Sequence, residues 1–218
     1  ESNTHGQQIK AQPHSVASSA IHTLPNVTGD LIPGKIGGTN FTNSLLVGHA
    51  TTGTLNSAIY NTGVGIDALK AITLGDSNTA IGRRAGSVLT SGSTNTLVGQ
   101  QAGRGITTTS NNTAVGENAL RNQPTGTGNT ALGKNALYAT TADYNIGIGY
   151  TSGNNITSGS GNVVIGVADV PSATADDQLS ISDGEDGTVV WLTGDSAGTV
   201  SANGGQLTTT GKALVMGF

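Results

Sequence analysis

The sequence predicts an all-β protein, a repetitive β-solenoid or β-roll of 17-residue units. Three observations carry that prediction: a glycine that recurs at a fixed interval, an Asn four positions before it, and a shortage of large side chains. The glycines are Gly48, Gly65, Gly82, Gly99, Gly116, Gly133, Gly149 and Gly166, 17 residues apart except for one step of 16 from Gly133 to Gly149. Such self-similarity marks a repeat architecture, in which each unit buries its apolar face on the next. The 218 residues include 34 Gly, 5 Pro, 1 Trp, 2 Phe, 1 Met and no Cys. Gly without a G-X-Y period excludes collagen, and the absence of Cys excludes a disulfide scaffold, a thiolate metal site and a cysteine nucleophile.

Within the unit each element has a reason. The residue before the glycine is aliphatic in all eight copies: Val47, Val64, Ile81, Val98, Val115, Leu132, Ile148 and Ile165. With the preceding Thr and Ala or Leu it makes a short β-forming run. The glycine supplies a positive φ or a close backbone approach. The next two residues vary and are mostly polar, as in Arg83-Arg84, Gln100-Gln101 and Lys134-Asn135, which suits an outward turn. A small residue follows (Ala68, Ala85, Ala102, Ala119, Ala136, Ser152), then a Gly/Thr/Ser-rich connection such as Thr90-Ser91-Gly92-Ser93. The Asn position is filled by Asn61, Asn78, Asn95, Asn112, Asn129, Asn145 and Asn162, with Ser44 in the first copy. Stacked amides can hydrogen-bond from coil to coil, which accounts for its constancy.

Eight coils at about 4.8 Å each make a rod about 38 Å long. If each coil buries only its aliphatic residue and one Ala, the gain is about 2–3 kcal/mol against the ordering of 17 residues. A single chain is then under-filled, and the expectation is that several copies associate about a common axis, a homotrimer being the simplest case.

Three segments follow: an extended attachment arm over 1–38, the eight-unit solenoid over 39–170, and a small β cap over 171–218. The arm carries Pro13, Pro25 and Pro33 with sparse apolar residues. The cap holds the only Trp, with strands expected at Leu179–Ile181, Thr188–Thr193 and Ala213–Met216. Between Asp169 and Asp195 stand seven acids and no Lys or Arg.

Units reading NTAIGRRAG, NTLVGQQAG, NTAVGENAL and NTALGKNAL resemble the repeats of phage tail fibres and other virion structural proteins. The segments Gly38–His49 and Thr210–Phe218 are similar to marine phage structural proteins, and the repeat is distantly similar to the head repeats of trimeric autotransporter adhesins. The resemblance implies a non-enzymatic fibre, spike or decoration protein on a phage particle, an intertwined homotrimer. The arm would join other virion proteins, and the surface would contact host glycans. The alternative is a bacterial surface adhesin, which would be extracellular; a glycan-degrading tailspike comes third. The 17-residue period is longer than the adhesin repeat.

No catalytic, cofactor-binding or metal-ligating residue is assigned. Gly128-Asn129-Thr130-Ala131-Leu132-Gly133-Lys134-Asn135 approaches a phosphate-binding loop but lacks its final Ser/Thr and sits in repeat register. His5, His14, His22 and His49 show no metal-ligand spacing. Asp183-Gly184-Glu185-Asp186-Gly187 falls short of a calcium loop. Asp76 and Asp143 share a repeat position four coils apart, about 19 Å, too far for paired-carboxylate catalysis. Asp67 and Glu117 lie at other positions. Arg83, Arg84, Arg104, Arg121 and Lys134 could line a basic strip. A net charge of −4 and 3% aromatic residues argue against nucleic acid, and no apolar stretch is long enough to span a bilayer as a helix.

Overall fold

The computed structural model describes residues 34–36, 44–47, 56–202 and 205–207. The chain divides into two units, Glu1–Leu31 and Ile32–Phe218, and all described residues lie in the second. Of the expected arm, only Gly34–Ile36 is described; the rest, and the expected strand at Ala213–Met216, lie outside the described residues.

Among the described residues thirteen strands form one sheet in sequence order. Strand β1 (Gly34–Ile36) pairs antiparallel with β2 (Leu45–Val47). From β2 the strands are parallel, three residues each, one per coil: β3 (Thr62–Val64), β4 (Thr79–Ile81), β5 (Thr96–Val98), β6 (Thr113–Val115), β7 (Thr130–Leu132), β8 (Ile146–Ile148) and β9 (Val163–Ile165). Each residue pairs with its repeat equivalent, as in Thr79 with Thr96 and Ile81 with Val98. The β-solenoid is therefore what the period implies. The ladder runs one strand past the repeat, to β10 (Leu179–Ser182) parallel to β9. It then turns antiparallel through β11 (Val190–Gly194), β12 (Val200–Ala202) and β13 (Gly205–Leu207).

A three-residue strand has one inward position, the middle one, because alternate side chains leave opposite faces. Leu46, Ala80, Leu97, Ala114, Ala131 and Val164 occupy it and are fully buried. The aliphatic residue before the glycine therefore points outward, contrary to its expected place in the core: Ile81 is 43% exposed and Leu132 47%. Two columns the sequence reading did not count complete the interior. One is the residue after the small Ala (Leu69, Leu120, Leu137), the other lies seven past the glycine (Ile72, Leu89, Ile106, Ile156); all are fully buried. A single chain thus fills its own core, and every strand from β2 to β10 finds its partners in that chain. The ladder requires no interleaved second chain.

Volume is traded between neighbouring coils. After the small Ala the chain is left-handed in all five copies that carry it, with Gly at some positions (Gly86 φ 54°, Gly103 φ 57°) and Leu at others (Leu69 φ 52°, Leu120 φ 50°, Leu137 φ 46°). Glycine takes this conformation freely, whereas leucine costs about 1–2 kcal/mol there. Leucine stands where the mid-strand residue is small (Gly63, Ala114, Ala131) and its burial offsets that cost. Gly103 stands beside Leu97: a Cβ on Gly103 would lie 2.5 Å from Leu97 Cδ2. Gly103→Ala should destabilise by about 1–3 kcal/mol through overpacking. Adding Leu97→Ala should recover part of that loss, a coupling measurable by a denaturant-melt double-mutant cycle; strict additivity would refute the contact.

The only Trp lies on β11, and Trp191 is 53% exposed there. It faces away from Leu192, which pairs with Ile181.

Candidate functional site

Polar chemistry in the described residues is organised into ladders that run from coil to coil. In the first, the N–H and the side-chain amide of Asn78 both donate to Asn61 Oδ1, at 3.0 Å each. Asn95 repeats this on Asn78 and Asn112 on Asn95. The amide also holds a carbonyl of the connection ahead, as Asn78 Nδ2 does with Gly92 O at 2.9 Å. Ser44 Oγ begins the ladder by accepting the Asn61 N–H at 2.7 Å, and Gln178 ends it on Asn162 Oδ1. All the Asn in it are buried. The stacking expected from the sequence is present and carries the backbone turn as well.

A second ladder was not foreseen as such. Asp76, Ser93, Ser110, Thr127, Asp143, Ser160 and Asp176 each accept, through a side-chain oxygen, the backbone N–H of the residue one coil earlier. Asp76 and Asp143, weighed above as catalytic acids, are thus two rungs holding Ile59 N–H at 2.8 Å and Thr127 N–H at 2.7 Å. The mixture of Ser, Thr and Asp hid the column, although all three offer an acceptor oxygen. In a third, Thr73 and Thr90 donate their hydroxyls to the carbonyls of Thr90 and Thr107, and Thr141 to that of Thr157.

The remaining candidates resolve similarly. The segment resembling a phosphate loop is strand β7 and its turn: Gly133 N–H donates to Val115 O, Asn135 N–H to Glu117 O, and Lys134 Nζ pairs with Glu117 at 3.1 Å. Donors that would cradle a phosphate are already spent. Along the basic strip, Arg84 lies 3.6 Å from Asp67 and Arg121 stacks on Tyr138. The four His lie outside the described residues. Asp169 and Asp186 share an open cleft of about 270 Å³ with Thr151, Asn154, Val167 and Ala168. Each carboxylate accepts a backbone N–H, from Asn155 at 3.0 Å and Thr188 at 2.9 Å. Among the described residues no three His, Asp or Glu are grouped to hold a metal, and no helix is long and apolar enough to cross a membrane.

Asp183 does the reverse of binding a cation. Its Oδ1 accepts the N–H groups of Glu185, Asp186 and Gly187, and its Oδ2 that of Val189 at 2.8 Å. These bonds, Gly187 and Val189 foremost, hold its carboxyl below the ordinary value of 3.8. The depressed carboxyl steadies the β10–β11 connection fully above the ordinary pKa and loses that effect as pH falls through the lowered value. An NMR titration should show Asp183 ionising below 3.8, with the Val189 amide signal moving in step. A midpoint at or above the ordinary value would refute the nest.

No protein-family model, no curated protein and no solved structure matches the chain.

Proposed function

We propose that the chain is a non-enzymatic structural element of a virion, a fibre, spike or decoration segment that assembles as a homotrimer on a phage particle. One observation carries the reading: among the described residues, the Asn ladder, the Ser/Thr/Asp ladder and Asp183 are committed to holding the backbone. Such a scaffold presents a surface rather than transforming a substrate. The repeat units, which resemble those of tail fibres, supply the setting. Residues of the first 38 positions would make the attachment to other virion proteins. The exposed Thr, Ser and Asn of the connections suit weak multivalent contact with host glycans.

Antibodies raised against the chain should decorate purified particles in electron microscopy, and peptides from it should be found in particle digests. Label on the bacterial cell surface with none on particles would replace this reading by an adhesin. Polysaccharide cleavage abolished by changing one carboxylate would replace it by a tailspike.

A further inference from the structure

Counted from each repeat glycine, the coils match one another until the chain reaches Gln123. The column seven past the glycine is aliphatic at Ile72, Leu89, Ile106 and Ile156, but Gln123 and Thr140 hold it in consecutive coils, both fully buried. The four aliphatic residues each donate their N–H to the carbonyl three positions back, at 3.0–3.1 Å. Among the described residues Gln123 and Thr140 make no such bond. One place further on, Thr73 and Thr90 each donate both N–H and hydroxyl to the next coil. Pro124 stands in that place and has no N–H to give.

The Asn ladder slackens over the same coils. Nδ2 of Asn78 and of Asn95 lies 3.0 Å from the Oδ1 one coil earlier, that of Asn112 3.2 Å and that of Asn129 3.4 Å. Asn145 Nδ2 finds no partner among the described residues, and Asn162 Nδ2 is back at 3.0 Å. Gln123 Nε2 shares Gly126 O with the Asn112 amide, at 3.1 and 3.3 Å. The strand side is untouched. There β6, β7 and β8 keep their full register, and Thr130 N–H donates to Asn145 O at 2.8 Å.

We infer that this step is a hinge built into the solenoid. Its connection side opens between the coils of Gly116, Gly133 and Gly149 while β6, β7 and β8 stay paired, so the blocks on either side swing about the strand face. Coils touch only their neighbours, and the step with the fewest satisfied bonds opens first. This is a property of the chain's own mechanics, separate from the role proposed above.

Native-state hydrogen exchange of the full chain tests it. Asn122 N–H donates to Tyr138 O and Thr141 N–H to Thr157 O at 2.8 Å, the same length as Thr90 N–H to Thr107 O. Corrected for intrinsic rates, Asn122 and Thr141 should nevertheless exchange about ten times faster than Thr90 and Thr157 on either side. Thr130 should exchange no faster than Thr96. Pro124→Thr alters only an exposed residue and should slow Asn122 and Thr141. Gln123→Ile with Thr140→Ile, which restores the apolar column, should slow them further; if that pair does not fold, Pro124→Thr decides alone. Equal rates at Thr90, Asn122, Thr141 and Thr157 would overturn the hinge. So would fast exchange at Thr130, because the coils would then part outright, and so would variants that leave Asn122 and Thr141 unchanged.

Discussion

Replacing Asn95 by Leu should cost about 3–6 kcal/mol, more than any conservative change in the apolar core. Asn95 sits mid-ladder and is almost wholly buried. Its Oδ1 accepts the Asn112 N–H at 3.0 Å, and its Nδ2 donates to Asn78 Oδ1 and Thr109 O, each at 3.0 Å. Leucine matches its size but leaves the Asn112 N–H and Thr109 O unsatisfied, at about 1–3 kcal/mol each, and strips Asn78 Oδ1 of one of its two donors. Because coils touch only their neighbours, the damage should be local first, opening the β5–β6 step before the ends. Chemical denaturation gives the magnitude, and amide exchange at Thr96 and Thr113 gives the location. A loss under 1 kcal/mol would mean that the ladder follows from the fold and does not hold it.

Gly99→Ala should be comparably severe for a different reason. Gly99 has φ 132°, and a Cβ there would lie 2.5 Å from the carbonyl oxygen of Gly116 in the next coil. That oxygen belongs to backbone and cannot swing aside, so the coils must part or the turn must rebuild. Backbone strain of about 1–3 kcal/mol then adds to the loss of packing between coils. The same substitution at Gly198, where nothing lies within 4 Å of the added carbon, isolates the strain term, since its φ is also positive at 78°. Thermal melts should separate the two variants clearly. Equal losses would mean that φ alone, and not the close approach, demands glycine in the repeat.

These two positions were also the plainest in the sequence. A column that hardly varies advertises itself: Asn gives way only at the ends, to Ser44 and Gln178, and Gly alone lacks a Cβ. The facing of the strand was harder to read. In Thr79-Ala80-Ile81 the largest apolar residue looks like the core residue, yet in a three-residue strand only the middle position faces inward, so Ala80 is buried and Ile81 is not. The second core column was obscured where Gln123 and Thr140 interrupt Ile72, Leu89, Ile106 and Ile156. Gln123 is fully buried, and its Oε1 has no partner among the described residues. The 16-residue step beside it leaves Asn145 Nδ2 likewise unpartnered. Period alone could not reveal that one step is less well satisfied than the rest. The Ser/Thr/Asp ladder escaped notice because the shared property is an acceptor oxygen rather than a residue name.

The expectation that one chain is too poorly filled to stand alone followed from placing Val64, Ile81 and their equivalents inside. With those residues outside and Leu69, Ile72 and their equivalents inside, one chain fills its own coils.

That distinction is open to a direct measurement, made simple by a chain without cysteine. Ser91 and Thr108 are exposed, off the strand face, and one coil apart. Stacked coils bring such positions to about 4.8 Å, within disulfide range. Ser91→Cys with Thr108→Cys should oxidise within one chain and run as a single 21.6 kDa species on a denaturing, non-reducing gel. Covalent dimers or trimers as the main product would mean that neighbouring coils come from different chains, and the single-chain solenoid would be wrong.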